Sequence, residues 1–183
     1  MRWIPLLILT YLVVLFQTTL GRLLTIRTAG IGTIGPDLTA LLAVFVAFYG
    51  RNGVEVMLAA WVLGLAVDLT TTGGVGSMTA VGPMPLAYAL AAGLLFRVRE
   101  AFFRERALTQ GLLAAAFCLL AHGLWVTTQS LLGGRTTWAA YGRTLLQAAA
   151  LACYTGLLMP LAHVLLGKAQ RLFLAAPAGP GRR

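Results

Sequence analysis

Charge is what this chain most lacks. Only 10% of its 183 residues are Asp, Glu, Lys or Arg, against about 25% in an ordinary soluble domain. Just five are acidic, and no two form a catalytic carboxylate pair by sequence. Cysteine is nearly absent too: Cys118 and Cys153 sit inside apolar segments at no metal-ligand spacing, and read as small buried hydrophobes. There is no HExxH, CxxC, Walker loop or nucleophile elbow. These absences argue against a metalloprotease, a zinc-ribbon module, a phosphate-binding loop enzyme or a serine hydrolase. They lead us to expect a non-enzymatic protein with no metal and no cofactor.

What the chain has instead is apolar length. Hydrophobic residues make up 59% of it, and the mean hydropathy is +0.85. Stretches of this kind are soluble only in lipid. The net charge of +9 does not gather into a soluble basic face or motif, so nucleic acid is not the expected partner. The first apolar segment, from Trp3, is longer than a signal-peptide core of about 7–15 residues and ends in no small-residue cleavage site, so it reads as a retained transmembrane helix.

Applying a spanning length of about 20 residues predicts six segments: Trp3 to Leu24, Pro36 to Tyr49, Val54 to Thr70, Met78 to Phe96, Leu108 to Leu132 and Thr144 to Leu166. Turn and charge signals separate them at Thr25 to Gly35, Gly50 to Gly53, Thr71 to Ser77, Arg97 to Arg106 and Gly133 to Arg143. The second is short for a span. In the fourth, Gly82, Pro83 and Pro85 argue for a late start near Pro83. With both termini inside, ten Lys and Arg fall on the cytoplasmic side (Arg2, Arg51, Arg97, Arg99, Arg104, Arg106, Lys168, Arg171, Arg182, Arg183) and four outside (Arg22, Arg27, Arg135, Arg143), as positively charged loops require. The expected architecture is therefore an all-α membrane protein, a compact bundle of six transmembrane helices with short loops and both termini cytoplasmic. Residues 1–167 form the bundle, and 168–183 a basic, Pro/Gly-rich cytoplasmic tail. The loop Arg97 to Arg106, with Phe102 and Phe103, reads as a topology anchor at the lipid interface.

Ionisable residues within membrane segments are functional candidates by default. Asp37, after Pro36, reads as a helix cap, and so does Glu55. Asp68, near the end of the third segment where the helix dipole opposes it, needs a cation, a donor cluster or water, and the adjoining Thr70, Thr71, Thr72 and glycines could supply hydroxyl and backbone N–H donors in a tight turn. His122 reads as a core histidine bonded to a neighbouring helix, at a different depth from His163. Helix direction puts Arg22, Asp37 and Asp68 at one outer level, and we expect Arg22 to bridge the two carboxylates and lock helices one to three. Small residues four apart, at Ala60 and Gly64, Ala89 and Gly93, and Ala148, Ala152 and Gly156, mark close-packing helix faces. We expect Gly93 and Gly156 to lie on faces that receive a transmembrane partner.

The order of these signals resembles a known family. Phe16-Gln17-Thr18-Thr19-Leu20, Pro36-Asp37-Leu38, and Gly64-Leu65-Ala66-Val67-Asp68-Leu69 followed by Gly73-Gly74-Val75-Gly76 look like the bacterial rod shape-determining protein MreD. The likeness is close in the first half. In the second it rests on length, topology and the basic fourth loop, and it departs at Gly82, Pro83 and Pro85. It implies a scaffold of the cell-elongation machinery in the bacterial cytoplasmic (inner) membrane, beside an MreC-like bitopic protein, an MreB-like filament and the peptidoglycan synthases. Gln17, Asp37 and Asp68 would be its internal struts. From another class, a six-helix bundle with Gly/Pro-interrupted segments also resembles the substrate-binding subunits of energy-coupling-factor transporters. An intramembrane enzyme is the weakest fit, for want of a nucleophile and base pair.

Overall fold

The computed structural model describes residues 3–19, 21–28, 32–71, 82–99, 107–133 and 137–173. Six helices account for most of them: α1 (Trp3–Thr19), α2 (Leu38–Tyr49), α3 (Gly53–Thr71), α4 (Pro83–Val98), α5 (Ala107–Gly133) and α6 (Trp138–Phe173). Of these, α3, α5 and α6 are long and apolar enough to cross a membrane. The other three are shorter apolar helices of 17, 12 and 16 residues. The chain is thus a helical membrane protein.

Helix α2 organises the bundle. Every residue from Thr39 to Phe48 is buried, because α1, α3, α4, α5 and α6 all pack around it. Its sequence, LTALLAVFVAFY, is apolar on every side, as an all-round buried helix must be. At about 1.5 Å per residue its 12 residues span only about 18 Å, well short of a hydrocarbon core near 30 Å. Both ends are enclosed by the other helices, and side chains satisfy their open backbone groups.

The tightest helix pairs are α3 with α4 and α5 with α6, and glycines make them possible. A Cβ on Gly64 would lie 2.8 Å from the Met84 carbonyl oxygen, and one on Gly156 would lie 2.7 Å from that of Gly111. A Cβ on Gly93 would meet the Met57 sulfur at 3.1 Å. The small-residue faces expected to receive a partner are consequently filled by the bundle's own helices.

Three local features depart from the sequence reading. The break expected at Gly133 to Arg143 is shorter, since α6 begins at Trp138, where Thr137 Oγ1 accepts from Ala140 N at 3.4 Å in the manner of a helix cap. The first segment ends as a helix at Thr19 and continues in a 3-10 turn, Gly21–Leu24. The connection to α2, read as a plain loop, holds an antiparallel hairpin of β1 (Ile26–Thr28) and β2 (Gly32–Ile34). It is tied to α6 by Gln147 Nε2 donating to Thr33 O and Tyr154 OH donating to Leu24 O. Helix α4 begins at Pro83, as expected; Pro83 and Pro85 occupy the first turn, where a missing N–H leaves no hydrogen bond unmade.

Candidate functional site

The polar groups of the bundle collect at the two ends of α2. At its start Asp37 is the N-cap, with Oδ1 accepting from Ala40 N at 3.0 Å and from Thr39 Oγ1 at 2.6 Å. Gln17, one helix away on α1, adds a second cap: its Oε1 accepts from Leu38 N at 3.1 Å and Thr39 N at 3.2 Å. Pro36 removes one further donor at this terminus by having no N–H.

The carboxylate then reaches across the bundle. Asp37 Oδ2 accepts from the Tyr88 hydroxyl of α4 and stands 3.0 Å from His122 Nε2 of α5. The backbone N–H of Asp37 donates to Thr155 Oγ1 of α6 at 3.0 Å. Asp37 thereby ties α2 to three other helices, and Gln17 on α1 adds a fourth through Leu38 and Thr39. Tyr88 is fully buried, and its ring meets Phe117 edge-on at a centroid distance of 5.2 Å. Burying an ionised carboxylate is expensive unless it is paired and hydrogen-bonded, and four donors meet this one.

The expected Arg22 bridge cannot be placed, because the Arg22 side chain lies outside the described residues. The side chains that meet the Asp37 carboxylate across the bundle are Tyr88 and His122; the sequence places His122 only against an unspecified neighbouring helix. Asp68 is fully buried at the end of α3 and accepts from Gly82 N at 2.5 Å. Gly82 has φ +122°, a backbone that side-chain-bearing residues rarely adopt. This donor lies outside the expected set of Thr70, Thr71, Thr72 and the adjoining glycines. Of that set, Thr70 gives its hydroxyl to Ala66 O and Val67 O of its own helix, and the Thr71 side chain and the run Thr72 to Gly76 lie outside the described residues.

At the other end of α2 the donor is Arg99. Its Nη1 lies 2.8, 3.1 and 2.6 Å from the carbonyl oxygens of Ala47, Phe48 and Gly50, and its guanidinium sits 3.9 Å from the Phe96 ring centroid. Read from sequence as part of a charged surface loop, Arg99 is buried. A cation suits this position, since the carbonyl end of a helix is its negative pole. The rest of that loop, 100–106, lies outside the described residues. Beside it Tyr49 OH meets His163 Nε2 at 2.5 Å, and Gln110 Nε2 meets His163 Nδ1 at 2.9 Å. His163 and His122 thus serve opposite ends of α2.

A cavity of about 450 Å³ adjoins the Asp37 end. Gln17, Asp37, Thr39 and His122 supply its polar side, and Val14, Val67, Met84, Trp125 and Leu151 its apolar walls. Among the described residues no group of three or more His, Cys, Asp or Glu is arranged to hold a metal ion. Compared with protein-family models, with curated proteins and with solved structures, the chain matches none of them.

Proposed function

We propose that this chain is a non-enzymatic scaffold subunit of the bacterial cell-elongation machinery, similar to MreD, with six spans and both termini in the cytoplasm. It works beside an MreC-like single-pass protein in the inner membrane, with an MreB-like filament and peptidoglycan synthases as further partners. The observation that carries the reading is the use made of the residues on which the resemblance rests. Gln17 and Asp37 cap α2, and Asp68 holds the turn into α4. Gln17 and Asp68 are tied to the backbone of another segment, and Asp37 to side chains of α4, α5 and α6, so they act as struts. Small-residue faces at Gly64, Gly93 and Gly156 are filled from within, so a partner helix meets lipid-facing side chains.

Affinity purification from native membranes tests this: a single-pass partner should co-purify, and depletion should round the cells. Recovery of the chain alone from membranes that contain such a partner, together with unchanged rod shape on depletion, overturns it. Reporter fusions after Gly53 and at the C-terminus should both report the cytoplasm. A second reading, a small-molecule-binding transporter subunit, is favoured by the 450 Å³ cavity. Under it the purified protein retains a ligand and an energy-coupling partner in place of the single-pass one.

A further inference from the structure

The hydrogen bonds at the Asp37 end leave a specific remainder. His122 gives Nε2 to the carboxylate, and with the ring uncharged its Nδ1 is a lone-pair acceptor. Gln17 gives Oε1 to two backbone N–H groups, so its amide Nε2 remains a donor. Neither atom has a hydrogen-bond partner among the described residues. Both residues line the same cavity.

The cavity's chemistry narrows what it accepts. No lysine or arginine lines it among the described residues, and its one carboxylate, Asp37, is taken up by internal donors. An anion would meet no lysine or arginine among the described residues and would face Asp37; a cation would find a carboxylate that already has four donors. An uncharged group that both donates and accepts, a hydroxyl, fits the remaining acceptor and donor together. Thr18 and Thr70 add hydroxyl oxygens on the lining, each donating into its own helix and so able to accept. Val14, Val67, Met84, Leu151 and the Trp125 ring offer an apolar face that water does not match, and Trp125 Nε1 is a further buried donor with no partner among the described residues. A volume of about 450 Å³ lies in the range of sites that enclose small molecules.

We infer that this cavity binds an uncharged, hydroxyl-bearing headgroup of the sugar or glycerol class carrying an apolar portion, with a ligand hydroxyl bridging His122 Nδ1 and Gln17 Nε2. The inference does not rest on the scaffold reading, because it follows from the cavity and holds whether or not a single-pass partner binds. The same headgroup chemistry has two sources, a lipid of the bilayer or a free glycoside, and the test separates them.

The full chain is placed in phosphatidylcholine nanodiscs with ring-labelled histidine. Its only two histidines are His122 and His163, so their nitrogen resonances can be told apart by a His163→Gln variant. A glucosyl diacylglycerol doped into the bilayer, or methyl glucoside in the buffer, should move the His122 Nδ1 resonance and leave that of His163 in place. Response to the lipid alone assigns a bilayer source, and response to both assigns the headgroup itself as sufficient. Filling the cavity with Val14→Trp, or with Val67→Phe should the first variant misfold, should weaken the response by about tenfold or more, the scale of a steric mismatch in an apolar pocket. The inference is overturned if neither probe moves His122 in the wild type, since water alone then occupies the cavity. Equal response to added phosphatidylcholine overturns it too, and so does undiminished response in a folded filling variant.

Discussion

At the Asp37 end of α2, two side chains from different segments meet the open N–H groups, and the carboxylate is then held by a tyrosine on α4 and a histidine on α5. At the Gly50 end a single guanidinium nitrogen meets three carbonyl oxygens, with a phenylalanine ring against it. The two ends face the same problem, open backbone groups enclosed by the bundle. Their difference follows from what each residue can do. Arginine is always charged, carries five donors in a rigid fork, and serves several acceptors from one element. An ionised carboxylate only accepts, and its two oxygens call for donors from several directions. The Asp37 end is consequently a meeting of helices beside a cavity, whereas the Gly50 end is a local clasp.

That contrast can be broken most directly at Asp37. Asp37→Leu removes the cap and strands Tyr88 and His122, and should lower stability by about 3–5 kcal/mol, the usual loss when one partner of a buried polar pair is removed. Asp37→Asn, which keeps accepting capacity, should lose clearly less. Reversible unfolding in mixed micelles reads both, and an Asp37→Leu chain as stable as wild type would show the hub to be incidental. Arg99→Met comes next, at about 1.5–3 kcal/mol for hydrogen bonds to a charged group. Arg99→Lys should recover only part, because a point charge does not reproduce the fork or the ring contact.

Gly156→Leu should cost about 1–3 kcal/mol by overpacking α5 against α6. It asks whether the small-residue faces serve the bundle or a partner. Fold stability and partner recovery should fall together; a loss of partner at full stability would return these faces to the partner. The smallest expected effect compares two hydroxyls. Tyr88→Phe takes a donor from the Asp37 carboxylate, and Tyr49→Phe takes only a histidine contact at the other end. The Tyr49 change should stay near 1 kcal/mol or below, the net value of an ordinary hydrogen bond, with the Tyr88 change the larger of the two.

Much of this frame is legible in the amino-acid order where the signal is local. Asp37 as a cap follows from Pro-Asp at a helix start, the late beginning of α4 follows from Gly82-Pro83, and the histidines at separate depths follow from position along apolar runs. What is not legible depends on distance along the chain. Nothing near Asp37 announces that Tyr88 and His122, 51 and 85 residues later, will close on it. Arg99 sits among surface-like charges, and its burial is set by where α2 ends. The hairpin strands have three residues each and mixed polarity, below the length at which alternation identifies a strand. Gly93 and Gly156 were legible as packing residues, but a spacing of four cannot say whether the neighbour belongs to the same chain.

The shortness of α2 also bears on how the protein is made. The side chains that complete its start, Tyr88, His122 and Thr155, follow Asp37 by 51, 85 and 118 residues. At about 5–20 residues per second, roughly 6–24 s separate the synthesis of Asp37 from that of Thr155. Throughout that interval the segment has a carboxylate at one end, lacks the Arg99 clasp at the other until α4 is made, and is too brief to span the bilayer unaided. Its final position is therefore an outcome of assembly, reached only when the last-made helix delivers Thr155 to the second.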